Sequence, residues 1–171
     1  MAWRRTGAAA RALLGALSLV GGFTWVLLNL HGTHPMLDSA VGLVLAAGGL
    51  VLLMPHRIRL PQRVTAIATI GTAVAGTAAG LVASSTQVCC VFAYAAARGW
   101  PFHFVQRVGV AEDPGTARRI AEAADWNVDA VALTTDLVLW AYVGMLVVVV
   151  GVLVRRAVAD RDGGRVGLPA R

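Results

Sequence analysis

Apolar residues fall into four long stretches separated by short polar breaks, at 12–31, 36–54, 64–84 and 134–154. Arg11 precedes the first, PHRIRLPQR (55–63) divides the second from the third, and Arg155-Arg156 follows the fourth. A hydrocarbon core about 30 Å thick needs about 20 helical residues at 1.5 Å each, and every stretch meets that length. A soluble four-helix bundle keeps a polar outward face, whereas VGMLVVVVGVLV (143–154) offers no polar side chain. The pattern predicts an all-α protein, a four-transmembrane-helix bundle with a short extracytoplasmic helix between helices 3 and 4. Residues 1–154 form one membrane domain on this reading, and 155–171 a disordered cytoplasmic tail. No charge interrupts the third stretch before Arg98, so its helix is expected to extend to about residue 97. Arg4 and Arg5 before an apolar run imitate a signal peptide, but 12–30 is longer than a usual signal core and no A-x-A site closes it. A retained first helix is expected.

The segment 98–129 then lies between helices 3 and 4. In ARGWPFHF (97–104), Gly99 is placed to cap the end of helix 3, and Phe102 and Phe104 alternate with His103 to give one aromatic face. Asp113-Pro114 supplies an N-cap and a first helical residue, predicting a short amphipathic helix from 114 to about 125. The long third helix, the external RGWPF (98–102) and a return helix reading DLVLW (136–140) resemble a class of small uncharacterised bacterial, actinobacterial-type, four-helix integral membrane proteins. The resemblance covers mainly residues 97–140. It implies the same topology and brings no activity with it.

Lipid provides no hydrophobic drive for helix association, so close backbone approach and side-chain hydrogen bonds must supply it. Helix 3 repeats small residues every fourth position, Ala68, Thr72, Gly76, Gly80 and Ser84, with Ile67, Ile70, Val74 and Leu81 on a bulky stripe. It is expected to form the packed centre with that stripe towards lipid. Ser18-x-x-x-Gly22 on helix 1 and Gly42, Gly48 and Gly49 on helix 2 are the partner surfaces.

Composition agrees with a membrane protein: 57% of residues are hydrophobic, 14% are charged, and the mean hydropathy is +0.69. All fifteen basic residues are arginine. They are scattered, form no basic stripe and match no nucleic-acid motif, so no nucleic-acid partner is expected. Eleven sit at the N-terminus, in the 55–63 loop and in the C-terminal tail. Four, Arg98, Arg107, Arg118 and Arg119, lie in the long loop, offset by five acids. The positive-inside rule places both termini in the cytoplasm and 98–129 outside the cell membrane. Measured from the inner arginines, the outer membrane boundary passes near His31, Pro35, Ala83 and Thr135. Most aromatics fall in the outer half or beyond it, as an interfacial belt does.

That boundary gathers the candidate chemistry. Asp136 is the ionisable residue of the last span, and such a group is a functional-site hypothesis by default. At the outer edge it is expected to meet water or to pair with Arg98 or Arg107, with Asp129 seven residues earlier on the same helical face. Asp38, beside Ser39, reads as an N-cap of helix 2. The outward pocket drawn from the sequence comprises Asn29, His31, His34 and Asp38; Ser84, Gln87, Cys89 and Cys90; Trp100 and His103; and Asp129 and Asp136. No zinc-ligand spacing is matched, no histidine lies mid-membrane for haem, and the adjacent cysteines lack the C-x-x-C spacing of thiol–disulfide enzymes. No cofactor or metal is expected. The function expected is a non-enzymatic scaffold or accessory subunit of a membrane complex, partnered by lipid and by another membrane protein or its own copy. The alternatives are a small-solute or ion transporter or channel component using Asp136 and the Thr/Ser faces of helix 3, and an outer-face enzyme or redox protein using Cys89/Cys90.

Overall fold

A computed structural model describes residues 2–32, 34–54, 61–89 and 93–163. Among them are five helices, α1 (Ala2–Asn29), α2 (Pro35–Leu53), α3 (Gln62–Gly80), α4 (Pro114–Ala123) and α5 (Ala130–Gly163). Four strands accompany them, β1 (Ser84–Cys89), β2 (Ala93–Arg98), β3 (Val105–Val110) and β4 (Asn127–Val128). Three helices are long and apolar enough to cross a membrane: Thr6–Asn29, Pro35–Leu53 and Ala130–Arg161. α3 is not among them, because it begins with Gln62-Arg63 and is built mainly of Ala, Gly and Thr, which are only weakly apolar. The chain divides into two compact units, residues 1–70 with 142–171, and residues 71–141.

In the first unit α1 and α2 form an antiparallel hairpin. Gly15 and Gly22 are seven residues apart, as are Gly42 and Gly49. A Cβ on Gly22 would lie 2.5 Å from the Gly42 carbonyl oxygen, and one on Gly49 would lie 2.5 Å from that of Gly15. The helix backbones therefore touch at two levels along one seam, which is how helices gain contact area in lipid. On α5, Tyr142 is buried, a Cβ on Gly48 would collide with its ring, and its hydroxyl shares a 2.7 Å hydrogen bond with Ser18. Outward-facing Leu13, Leu17, Val20 and Leu28 of α1 are more than half exposed.

The second unit overturns the all-α expectation. Helix α3 ends at Gly80 and does not continue to residue 97; a turn at 81–82 leads instead into β1 and β2. Ser84, Ser85 and Thr86 offer side-chain hydrogen bonds that compete with helix continuation. The Ala-rich AYAAAR of β2 becomes a strand because its neighbours supply the ladder, Ala93 opposite Val110 and Cys89, Arg98 opposite Val105 and Ser84. The sheet is an antiparallel meander in the order β1-β2-β3-β4. Helix α4 lies where the sequence places it, with the Asp113 carboxylate accepting the Thr116 N–H at 2.8 Å. It packs on β2 and β3 through Ala117 and Ala121, both fully buried, and a Cβ on Gly109 would collide with the Ala117 carbonyl.

Two further expectations need correction. Gly99 follows β2 and does not cap a helix. Its φ of 125° lies in the left-handed region open to glycine, and a Cβ there would strike the Phe102 carbonyl. The tail read as disordered from 155 continues α5 as far as Gly163, and residues 164–171 lie outside the described residues.

Candidate functional site

The residues grouped in one sequence-drawn pocket belong to both compact units, and each group stands by itself. In the first, the turn between α1 and α2 holds Asn29, His31, His34 and Asp38. Asn29 donates from Nδ2 to the Trp25 carbonyl at 3.0 Å. Asp38 is not the N-cap of α2: His34 holds that position without a side-chain cap, and Asp38 lies in the first turn, where the helix dipole favours a carboxylate. His31 and His34 are exposed. Among the described residues no three His, Cys, Asp or Glu side chains are placed to share a metal ion.

The second unit centres on Asp136. It is fully buried in α5, and the loop between β2 and β3 closes over it. That loop contains a cis Trp100–Pro101 peptide bond and is tied at both ends, by Gly99 N–H to the Ala83 carbonyl at 3.2 Å and Phe104 N–H to the Arg98 carbonyl at 3.1 Å. The Phe104 carbonyl then accepts the Asp129 N–H at 2.8 Å, joining the loop to the start of α5. Held in this way, the loop brings the Phe102 N–H to 3.4 Å from Asp136 Oδ1, a long bond. Oδ2 is buried with no protein partner. The expected pairing of Asp136 with Arg98 or Arg107 is absent, because both guanidinium groups lie on the ring of Trp126.

Around the carboxylate, Trp140 sits one helical turn along α5. Its ring is 5.7 Å from that of Trp100, and a Cβ on Gly76 would overlap it. Gly80 meets the backbone of Trp100, where a Cβ would lie 2.8 Å from the carbonyl oxygen. The Gly76-x-x-x-Gly80 face of α3 thus receives an indole and a loop backbone, while Ile67, Ile70 and Val74 face outward. Thr72 lies on the same face, half-buried. The buried Thr77 hydroxyl and the Trp140 Nε1 also find no protein partner. Two hydroxyls of α5 differ: Thr134 and Thr135 donate to the Ala130 and Val131 carbonyls of their own helix. In this unit one oxygen of Asp136, the Thr77 hydroxyl and the Trp140 indole N–H are each buried without a protein partner, and such groups are expensive to leave unsatisfied.

The remaining candidates have other roles. Asp129 caps α5, its Oδ1 accepting the Val131 and Ala132 N–H groups at 2.9 and 3.0 Å. His103 is exposed and bonds through Nε2 to the Ser85 hydroxyl at 2.8 Å. Ser84, Gln87 and Cys89 stand in β1 opposite Arg98, Ala95 and Ala93, and Cys90 lies outside the described residues. The sequence reading missed Trp140, one helical turn from the carboxylate. The i, i+4 spacing of Asp136 and Trp140 was the available signal. Comparison with protein-family models, with curated proteins and with solved structures finds no match in any of the three.

Proposed function

We propose that this is a four-span protein of the cell membrane, with α3 as the additional span, both termini in the cytoplasm and the sheet with α4 outside. It serves there as a non-enzymatic accessory or scaffold subunit that holds an extended segment of a partner protein. The observation that carries the reading is strand β1. It forms one edge of the sheet along six residues. Edges of this kind are normally guarded by charge, proline, a bulge or short length, since unpaired N–H and C=O groups accept any extended chain. SSTQVC has neither charge nor proline. The other edge, β4, is two residues long. Adding a strand to β1 satisfies its backbone, and side chains at alternate positions then select the partner. Photo-crosslinking in native membranes tests this. A photoreactive residue at Thr86 should give a discrete protein adduct, while one at outward-facing Val150 of α5 should give none. Loss of the Thr86 adduct on a background of normal expression would remove the reading.

Asp136 favours a second reading, a component of a solute or ion pathway, because a buried membrane carboxylate with a partnerless oxygen is suited to a proton or cation. Asp136→Asn retains the shape and the oxygen near Phe102 but removes the charge. If proteoliposome flux of protons and monovalent cations is identical for the two proteins, this reading fails.

A further inference from the structure

Arg98 and Arg107 have a task that neither reading assigns. Their Cζ atoms lie 4.9 and 4.6 Å from the centroid of the same Trp126 ring, and so at most 9.5 Å from each other, the sum of the two distances. Stacking on an indole fixes the plane of a guanidinium and leaves its N–H edges available for planar acceptors. Of Arg107's donors, Nη1 is bonded to the Glu122 carbonyl at 3.1 Å, and Nε is buried without an acceptor. Nearby carboxylates are committed elsewhere: Glu122 to Arg118 at 2.7 Å, the one ion pair among the described residues, and Asp129 to the N-terminus of α5. The Glu122 charge also acts on Arg107, but among the described residues neither guanidinium forms an ion pair, so two like charges share one ring and their free N–H edges favour an anion.

Position narrows the anion. Arg98 stands opposite Ser84, four residues after α3 ends at Gly80, and Trp126 stands four residues before α5 begins at Ala130. If α5 enters the bilayer from that end, as the proposed topology has it, these three side chains lie at the depth of lipid headgroups. Tryptophan is enriched there, and arginine meets phosphate. We infer that Arg98, Arg107 and Trp126 form a phosphate-binding site, filled by the phosphodiester of an anionic phospholipid or by free phosphate. This also accounts for arginines on the side of the membrane that the positive-inside rule leaves poor in them.

The test uses the full-length protein. Native mass spectrometry in detergent should show one phosphatidylglycerol retained per chain. Arg98→Gln, which breaks no described hydrogen bond, should weaken that binding by about tenfold, the loss typical of one charge-assisted contact. In a second measurement on the unaltered chain, phenylglyoxal labelling of Arg98 and Arg107 is compared with that of Arg119. Slower labelling of the two in phosphatidylglycerol than in lipid-free detergent, with inorganic phosphate giving no protection, identifies the lipid as the source. Equal protection by millimolar inorganic phosphate in detergent identifies the free anion. Unprotected arginines in both arms, or Arg98→Gln binding phosphatidylglycerol like the unaltered protein, overturns the site. Alkaline extraction of native membranes reports separately whether the chain is integral, so failure of the topology and failure of the site are told apart.

Discussion

Gly21 and Gly22 are adjacent on α1 and should respond to the same substitution in opposite ways. Around Gly21 a Cβ meets nothing within 4 Å. Gly21→Ala therefore adds only the helix-forming advantage of alanine over glycine, a gain of about 0.5–1 kcal/mol. A Cβ on Gly22 meets the Gly42 carbonyl oxygen at 2.5 Å and the Ala46 nitrogen at 2.7 Å. Ordinary contact begins near 3.4 Å, so α1 must withdraw by about 0.9 Å, the difference between 3.4 and 2.5 Å. Both obstacles are backbone atoms within a helix, and no rotamer change relieves them. Overpacking of this kind costs about 1–3 kcal/mol, which exceeds the propensity gain. Both variants share the propensity gain, so they should differ in stability by the packing cost alone, roughly 1–3 kcal/mol. Unfolding of the detergent-solubilised protein with increasing SDS, followed by far-UV circular dichroism, measures the difference. Gly22→Ala unfolding at the same or a higher SDS fraction than Gly21→Ala would refute the close approach of α1 and α2 at Gly42.

Two other outcomes follow from the geometry. Tyr142→Phe removes the 2.7 Å bond to Ser18 and should cost only about 0.6 kcal/mol, the average for such bonds between membrane helices, while Gly48→Ala, which intrudes on the Tyr142 ring, should cost more in the same SDS titration. The Thr116 N–H bond, with the Arg119 charge, holds Asp113 below its ordinary pKa, so it supports α4 above about pH 3.9 and that support is lost as pH falls through its lowered folded value. Amide protection at 115–117 should fall in that acid range, and Asp113→Asn should abolish the dependence; an unchanged acid response in the variant would deny the cap its role.

What the amino-acid sequence determined alone was whatever depends on residues near one another in the chain. Three apolar stretches became helices suited to a membrane, because helix hydrogen bonds and transfer from water are both local. Helix α4 was legible from Asp113-Pro114 for the same reason, and Gly22, Gly42, Gly49 and Gly80 marked where backbones approach. Tertiary structure decided the rest. Alanine-rich 93–98 satisfies its backbone either as a helix or beside β1 and β3, and only those partners settle it as a strand. Once α3 stops at Gly80, the loop at 99–104 can reach Asp136. Arginines that counting alone assigned to that carboxylate stack on Trp126, whose ring is brought to them by β4 pairing with β3. Which glycine meets which carbonyl, and which buried oxygen is left without a partner, are properties of distances between remote segments, and no local pattern encodes them.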